Sequence, residues 1–139
     1  MKPTLVQPYL VFGGRCEDAL AFYQKALEAK VELMMRFSES PVPVPPDRIP
    51  AGFENKIMHC TFHIGEATVM ATDGCEAGGK FEGISLSLAL PAEADAQRAF
   101  AALSEGGKVE MPLGKTFWSP CFGMVVDRFG VSWMVTVNG

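Results

Sequence analysis

Apolar and polar positions alternate along two stretches of the chain that share one order of elements. In the first stretch, the pattern predicts a strand at 5–12, a helix at 17–27, and strands at 31–37, 56–64 and 67–72. In the second stretch, it predicts a strand at 84–90, a helix that Pro91 and Ala92 open and that runs to about Ser104, and strands at 109–113, 122–126 and 131–137. Each stretch therefore has the order strand, helix, strand, strand, strand.

The two stretches also share residues at a constant offset of 78 positions. Ala21-Phe22 matches Ala99-Phe100, and Lys30-Val31-Glu32-Leu33 matches Lys108-Val109-Glu110-Met111. Self-similarity at a fixed spacing is typical of repeated structural modules. We therefore predict a single domain, 1–139, built from two related modules at about 1–78 and 79–139.

One connection, 38–55, differs from the rest of the first module. It is rich in proline, which is disfavoured both inside a β-sheet and inside a helix, and it is longer than most loops that only connect two elements. We expect an extended, mobile loop that acts as a flap, although the sequence leaves its role open. Its prolines are Pro41, Pro43, Pro45, Pro46 and Pro50.

Composition narrows the class of protein. The chain has 139 residues, 48% of them apolar and 20% charged, which is typical of a globular domain. The net charge of −4, without a run of like charge, argues against nucleic acid as a partner. No apolar run reaches the roughly 18 residues of a membrane helix, and the first twelve residues do not resemble a secretory signal. We expect a cytoplasmic protein with no membrane partner.

The four cysteines lie far apart in the sequence and form no C-x-x-C pair, which disfavours a zinc ribbon or a thioredoxin-type motif. Cys60 lies within a strand pattern and is expected to be a small core residue, whereas Cys75 lies among glycines and is the most exposed thiol expected. We expect most of the four cysteines, Cys16, Cys60, Cys75 and Cys121, to be reduced and structural.

Several motifs resemble a known superfamily. Two tandem β-α-β-β-β modules, Ala19-x-x-Phe22-Tyr23 in the first helix and Asp127-x-x-Gly130 in the last turn resemble the vicinal oxygen chelate superfamily, which includes glyoxalase I, bleomycin-resistance proteins and extradiol dioxygenases. Further segments resemble its PhnB-like branch, often labelled a 3-demethylubiquinone methyltransferase-like domain. These are Pro8-Tyr9-Leu10, Phe22-Tyr23, Lys56-Ile57-Met58-His59, Thr116-Phe117-Trp118 and Asp127-Arg128-Phe129-Gly130-Val131-Ser132-Trp133-Met134.

The resemblance implies an α+β fold in which the two curved sheets form a cup with the helices outside, and it implies a homodimer. The methyltransferase label receives no support from the residues, because we find no strand followed by a glycine-rich turn that would cradle S-adenosylmethionine. We therefore expect no cofactor.

The metal enzymes of this superfamily place His, Gln or Glu on the first and last strand of each module. The matching positions here are Pro8 or Gln7, then Met70, Ser85 and Met134. Proline cannot ligate through its side chain, methionine suits soft metals, and serine is a poor ligand. The resemblance therefore implies that the metal site is absent from this chain.

The two-residue alternation along each predicted strand indicates which residues a ligand would contact. It places Ile57, His59, Thr61 and His63 on one face of their strand, opposite Met58, Cys60, Phe62 and Ile64. By the same alternation, small hydroxyl side chains and methionines line the inner face of both modules. The candidate ligand-binding residues are Arg36, His59, Thr61, Met70, Ser85, Ser87, Trp118 and Met134.

These residues support three hypotheses. The first is a metal-free protein that binds a small organic molecule, since methionine and hydroxyl groups suit such a ligand. The second is a metal-independent isomerase or lyase in which His59 is the catalytic candidate that moves a proton and Arg36 or a serine steadies the charge. His59 can equally be a structural histidine. The third is an interaction module that uses Phe117 and Trp118, which either cover the cup mouth or pack in a subunit contact.

Overall fold

Each half of the chain folds as a strand, a helix and three further strands, in the order that the hydrophobic pattern predicts. The computed structural model describes residues 2–42 and 44–138 and divides into two units, Met1–Gly79 and Lys80–Gly139. Unit 1 contains β1 (Tyr9–Val11), α1 (Cys16–Leu27), β2 (Lys30–Arg36), β3 (Ile57–Ile64) and β4 (Ala67–Thr72). Unit 2 contains β5 (Ser85–Leu90), α2 (Glu93–Ser104), β6 (Lys108–Gly114), β7 (Phe122–Val126) and β8 (Ser132–Val137).

The two units have the same sheet topology. Sheet A has the order β1-β4-β3-β2, and sheet B has the order β5-β8-β7-β6. In each sheet the first pair is parallel, β1 with β4 and β5 with β8, and the other pairs are antiparallel. The residues of the internal repeat occupy equivalent places, because Lys30 begins β2 and Lys108 begins β6. The predicted pair of β-α-β-β-β modules is confirmed.

One helix covers one face of the sheet in each unit. In α1 the buried residues Cys16, Ala19, Leu20 and Tyr23 recur at helical spacing. Tyr23 stacks on Phe62 of β3, with ring centroids 6.2 Å apart. The buried residues of unit 2 follow the same arrangement and include Ala96, Ala99, Phe100 and Leu103 of α2 and Val125, Trp133 and Val135 of sheet B. We call the opposite side of each sheet its open face.

The first strand is shorter than predicted. The expected strand at 5–12 contracts to Tyr9–Val11, while Leu5 and Val6 are exposed. Proline cannot donate to a ladder, so Pro3 and Pro8 limit the strand on its N-terminal side. The carbonyl of Pro8 still accepts a hydrogen bond from the Met70 N–H at 3.0 Å.

The proline-rich connection is not a simple extended loop. It contains three single turns of 3₁₀ helix, at Phe37–Glu39, Pro46–Arg48 and Phe53–Asn55. Phe37 and Phe53 are buried, which fastens both ends of the connection to unit 1. Pro43, one of the five prolines noted in the sequence, lies outside the described residues.

The predicted face of Ile57 is wrong. Its side chain is fully buried with Cys60 and Phe62, whereas Met58 is half-buried. The cause is a register shift, since Met35 pairs with His59 and the next residue of β2 pairs with Ile57. Such a bulge places one extra residue in β3 and reverses the alternation that strand periodicity assumes.

Neither α1 nor α2, the two long helices among the described residues, is long and apolar enough to cross a lipid bilayer.

Candidate functional site

The open face of sheet B carries small hydroxyl groups beside methionine. Ser85 and Ser87 of β5 are exposed, and the register pairs Ser85 with Ser132 and Ser87 with Met134. The Ser85 and Ser132 hydroxyl oxygens lie 2.8 Å apart and share a hydrogen bond. Three residues of the predicted binding set, Ser85, Ser87 and Met134, therefore lie together on neighbouring strands.

A cleft of about 520 Å³ opens at this hydroxyl pair. Its described lining consists of apolar side chains, glycine backbone and the two serines, and none of these residues is charged. The lining residues are Phe81, Gly83, Ile84, Ser85, Val126, Gly130, Ser132 and Met134. The volume lies within the range of pockets that hold small organic ligands, about 300–1,000 Å³.

A smaller cleft lies within the proline-rich connection of unit 1. It has a volume of about 240 Å³ and is lined by Phe37, Ser38, Ser40, Val44, Ile49 and Glu54. The volume falls below the usual range for a ligand pocket, so the cleft of unit 2 is the better candidate for binding.

In unit 1, the open face of sheet A carries a chain of polar groups centred on His59. The Tyr9 hydroxyl lies 2.9 Å from His59 Nδ1, and His59 Nε2 lies 3.2 Å from the Thr61 hydroxyl. The Tyr9 ring also meets the imidazole edge-on, with centroids 5.6 Å apart. A neutral imidazole satisfies both contacts when the phenol donates to Nδ1 and Nε2–H donates to Thr61.

Tyr9 was not among the residues chosen from the sequence. It pairs with Met70 in the parallel β1–β4 ladder, as Ser87 pairs with Met134 in the β5–β8 ladder. The 78-residue offset already relates Tyr9 to Ser87, so the repeat contained a signal that would have identified it. Partial burial raises the pKa of the Tyr9 phenol, with a smaller contribution from the neighbouring thiols Cys60 and Cys16. Tyr9 is therefore a hydrogen-bond donor at neutral pH.

The candidate metal positions do not fit a metal ion. The first-strand position was expected at Pro8 or Gln7, but the residue paired with Met70 is Tyr9. Ser87 pairs with Met134, and Ser85 already bonds to Ser132. Phenol, hydroxyl and thioether groups lack the imidazoles and carboxylates that hold zinc, manganese or iron. Among the described residues, no group of three or more His, Cys, Asp or Glu side chains is arranged to hold an ion.

Arg36 has a partner inside unit 1. Its guanidinium donates to both carboxylate oxygens of Glu17, at 2.9 and 2.7 Å, and to the carbonyl of Asn55 at 2.7 Å. The hydrogen bond from Arg36 lowers the pKa of Glu17. These contacts join α1 to the end of the proline-rich connection, so Arg36, a candidate ligand-binding residue, has its partners within the protein.

His63 also has protein partners. Its Nδ1 lies 3.1 Å from the Thr68 hydroxyl, and its Nε2 lies 3.5 Å from Glu32. His59 and His63 therefore belong to separate polar groups on β3.

The loop before β7 presents two aromatic side chains. Phe117 is 97% exposed and Trp118 is 55% exposed, and their rings meet edge-on. Trp118 also contacts Phe122 of β7, with centroids 5.3 Å apart. Buried Ser119 anchors the loop, because its hydroxyl accepts a hydrogen bond from Thr136 at 3.0 Å. Trp118 therefore lies against the start of β7, and the Phe117 ring is exposed to solvent.

A strand, a glycine-rich turn and a helix do follow one another in unit 1, at β1, Gly13-Gly14 and α1. The N–H groups of Gly14 and Cys16 both donate to the buried carboxylate of Asp73, at 2.8 Å each. The carbonyl of Gly13 accepts from the N–H of Gly78 at 2.9 Å. The turn is thus filled by the protein itself, and the Asp73 carboxylate occupies the place that an anionic group of a cofactor would need.

Comparison with known proteins shows which protein family the chain belongs to. The family model described as 3-demethylubiquinone-9 3-methyltransferase matches residues 4–136. The chain belongs to this family. The predicted resemblance to the PhnB-like branch, which carries the same label, is confirmed.

Relatives of this PhnB-like chain match it over nearly its full length. It is 34% identical to the protein YjdN of Escherichia coli strain K12 over 138 residues, which is 95% of this chain and 94% of YjdN. The crystal structure of PA1353 from Pseudomonas aeruginosa is 40% identical, with a TM-score of 0.85 and 98% of each chain covered. A PhnB protein from Bacillus cereus that bears the same methyltransferase description is 26% identical, with a TM-score of 0.79 over 97% of this chain and 100% of that one.

A more distant comparison concerns the fold alone. A glyoxylase/bleomycin resistance protein/dioxygenase domain from Frankia sp. EAN1pec has a TM-score of 0.65 at 11% identity and covers the whole of both chains. The predicted fold of the vicinal oxygen chelate superfamily is confirmed.

Proposed function

We propose that this PhnB-like protein binds a small organic molecule in the cleft of unit 2 and does so without a metal ion. The observation that carries the proposal is the 520 Å³ cleft at the Ser85–Ser132 hydroxyl pair, with Met134 on the neighbouring position of the sheet. Apolar walls supply most of the binding free energy in such pockets, and a few fixed polar groups orient the ligand.

The lining also indicates the class of ligand. None of the described lining residues is charged, so burying an ionised group in the cleft would leave it without a counter-charge. The paired serine hydroxyls can donate one hydrogen bond and accept others. Methionine adapts its shape to an irregular apolar surface. These features favour a neutral, largely apolar molecule with one or two polar groups.

The methyltransferase name of the relatives does not supply the activity. The glycine-rich turn of unit 1, where the amides of a helix start could hold a cofactor, is occupied by Asp73. A family name without the matching site does not carry function. Binding is therefore proposed, and methyl transfer is not.

A neutral fluorescent probe tests the proposal. We would titrate the chain with 6-propionyl-2-dimethylaminonaphthalene and compare Ser85→Leu, which fills the cleft, with Ala94→Leu, which adds similar volume at an exposed position of α2. We expect one saturable site and at least a roughly tenfold loss of affinity in Ser85→Leu, equivalent to about 1.4 kcal/mol. The Ala94→Leu control should bind as the wild type does. Equal affinity in all three proteins would contradict the proposal.

A second function is favoured by the Tyr9–His59–Thr61 chain of unit 1. When a substrate displaces the Tyr9 hydroxyl from His59 Nδ1, that nitrogen can accept a proton next to a carbonyl, and the released phenol can donate to the oxygen that becomes charged. This arrangement would suit a metal-free isomerase or lyase.

Solvent exchange tests that second function. In deuterated water, proton NMR would follow loss of the α-proton from a panel of small α-hydroxyketones and 2-oxo acids. We expect exchange with the wild type and with His63→Gln, which alters the other histidine, and none with His59→Gln. Exchange that survives His59→Gln would show that His59 is not the base. Absence of exchange with the wild type would contradict the second function and leave ligand binding as the proposed one.

We also propose a homodimer and a cytoplasmic location. The exposed Phe117 ring and the half-exposed Trp118 ring support a subunit contact, because adjacent exposed aromatic side chains often mark an interaction site.

A further inference from the structure

Two buried cysteines of unit 1 lie in contact although they are far apart in the sequence. The sulfurs of Cys16 and Cys60 are 3.7 Å apart, and both residues are completely buried. Cys16 is the first residue of α1, and Cys60 lies in the middle of β3. Both are free thiols.

The backbone on both sides of this pair is held by one carboxylate. Asp73 Oδ1 accepts from the N–H groups of Gly14 and Cys16, and Asp73 Oδ2 accepts from the N–H of Ile57, all at 2.8 Å. Asp73 therefore fixes the start of α1 against the start of β3. Within this arrangement the two sulfurs lie in contact without a covalent link.

We propose that Cys16 and Cys60 form a redox-active pair that closes into an intramolecular disulfide when a hydroperoxide oxidises it, and that closure alters the environment of His59. The proposal goes beyond ligand binding in unit 2 and does not depend on it. It concerns only contacts within unit 1.

The reaction balances with hydrogen peroxide as the oxidant. The Cys60 thiol loses its proton, its thiolate attacks one peroxide oxygen, and the O–O bond breaks. The hydroxide that leaves takes up the proton released by Cys60 and becomes water, and Cys60 is left as a sulfenic acid. The sulfur of Cys16 then attacks the Cys60 sulfur and displaces the hydroxyl group, which leaves as water with the proton of Cys16. Two thiols and one hydrogen peroxide thus give one disulfide and two waters, and the peroxide is reduced by two electrons.

The contact between the two sulfurs divides their roles. The hydrogen bond with Cys16 lowers the pKa of Cys60, and the same hydrogen bond, together with burial, raises the pKa of Cys16. The more easily ionised thiol is the better first nucleophile. Cys16, whose sulfur lies 3.7 Å away, resolves the sulfenic acid as its proton passes to the departing hydroxyl group.

Closure would act on the open face of sheet A. A disulfide needs sulfurs about 2.05 Å apart, so the pair must approach by roughly 1.7 Å. His59 and Thr61 are the neighbours of Cys60 in the chain, and His59 Nδ1 lies 2.9 Å from the Tyr9 hydroxyl. Any part of this approach that β3 makes toward α1 moves His59 relative to Tyr9, and so changes their contact.

Peptide mapping tests the disulfide. Trypsin leaves Cys16 in the peptide 16–25 and Cys60 in the peptide 57–80, which also holds Cys75. We would therefore use Cys75→Ser, a change at an exposed loop position. After treatment with hydrogen peroxide, blocking of free thiols in denaturant and digestion, we expect 16–25 linked to 57–80. The linked species should have lost two hydrogen atoms and separate again with dithiothreitol.

The control is the same experiment with Cys16→Ser added, in which the linked species should disappear while Cys121 stays free. The proposal would be overturned if Cys16 and Cys60 of Cys75→Ser are both still alkylated after peroxide treatment. It would also be overturned if the two residues are oxidised but not linked to each other. A link between Cys60 and Cys121 would overturn it as well.

The effect on His59 has its own measurement. The imidazole NMR signals of His59, identified by their loss in His59→Gln, should shift when the disulfide forms and return on reduction. The oxidised protein should also melt about 8 °C or more above the reduced one, because the bond closes a long loop of the unfolded chain. A disulfide that forms while the His59 signals stay unchanged would overturn the coupling to the open face.

Discussion

Replacing Asp73 by alanine tests whether one buried carboxylate holds unit 1 together. Asp73 is completely buried and accepts from the backbone N–H groups of Gly14, Cys16 and Ile57. Alanine leaves these three donors without an acceptor. At about 1–3 kcal/mol for a buried, unpaired donor, the buried N–H groups of Cys16 and Ile57 and the part-buried N–H of Gly14 should together lower the free energy of unfolding by about 3–6 kcal/mol. In Asp73→Asn the amide oxygen can still accept, but the NH₂ group meets one of the N–H groups, so the loss should be about 1–3 kcal/mol.

Urea unfolding followed by circular dichroism measures both changes. Asp18→Ala is the matched control, because Asp18 is exposed in the first turn of α1 and its loss removes only a favourable interaction with the helix dipole, about 0.3–1 kcal/mol. The order of stability should be wild type, Asp18→Ala, Asp73→Asn and Asp73→Ala. If Asp73→Ala loses no more stability than Asp18→Ala, the carboxylate is not the anchor described here.

Three further predictions concern other parts of the chain. Gly13→Ala should lower the free energy of unfolding in urea by at least about 2 kcal/mol more than Gly52→Ala does. Both residues have positive φ, but of the two positions only 13 would bring a Cβ against a backbone carbonyl. Equal losses of stability would refute this close approach. Glu17→Gln should lower stability at neutral pH, because Arg36 lowers the pKa of Glu17 in the folded state. The stability that ionised Glu17 contributes is present above its unfolded pKa of about 4.3 and is lost as the pH falls through its lower folded pKa. The difference in free energy of unfolding between Glu17→Gln and the wild type should therefore shrink in acid. A difference that does not change with pH would contradict this. Trp118→Ala should reduce self-association in sedimentation velocity; an unchanged mass would remove this loop from the subunit contact.

The order of elements and most strand faces could be predicted from the sequence because both depend on local periodicity. Ser85 and Ser87 alternate with Leu86 and Leu88, and the structure exposes the serines while it covers the leucines more. Period 2 is a property of every regular strand, so such assignments hold wherever the ladder is regular.

They fail where the ladder is irregular, as at Ile57. The bulge there depends on how β3 pairs with β2, and nothing in the local pattern of β3 encodes that shift. Tyr9 was missed for a related reason, because β1 has three residues and is too short for a periodic signal.

The contacts that join distant residues were beyond sequence reasoning. Arg36 was considered for a ligand, but its partner Glu17 lies on another element. The Cys16–Cys60 contact and the Asp73 anchor likewise bring together residues that only the packing of α1 on sheet A makes neighbours. Predicting them requires the fold itself, since no motif or spacing distinguishes these side chains from others of their type.

Native mass spectrometry of the purified chain tests the central claim, that the cleft of unit 2 binds a small organic molecule, most directly. The wild type should retain an organic adduct of defined mass, at most one per chain, that survives treatment with a chelator. Ser85→Leu, prepared in the same way, should carry much less of it, and Ala94→Leu should carry as much as the wild type. A wild type and a Ser85→Leu protein that both keep the same adduct, or a tightly held divalent ion that a chelator removes together with the adduct, would contradict the account.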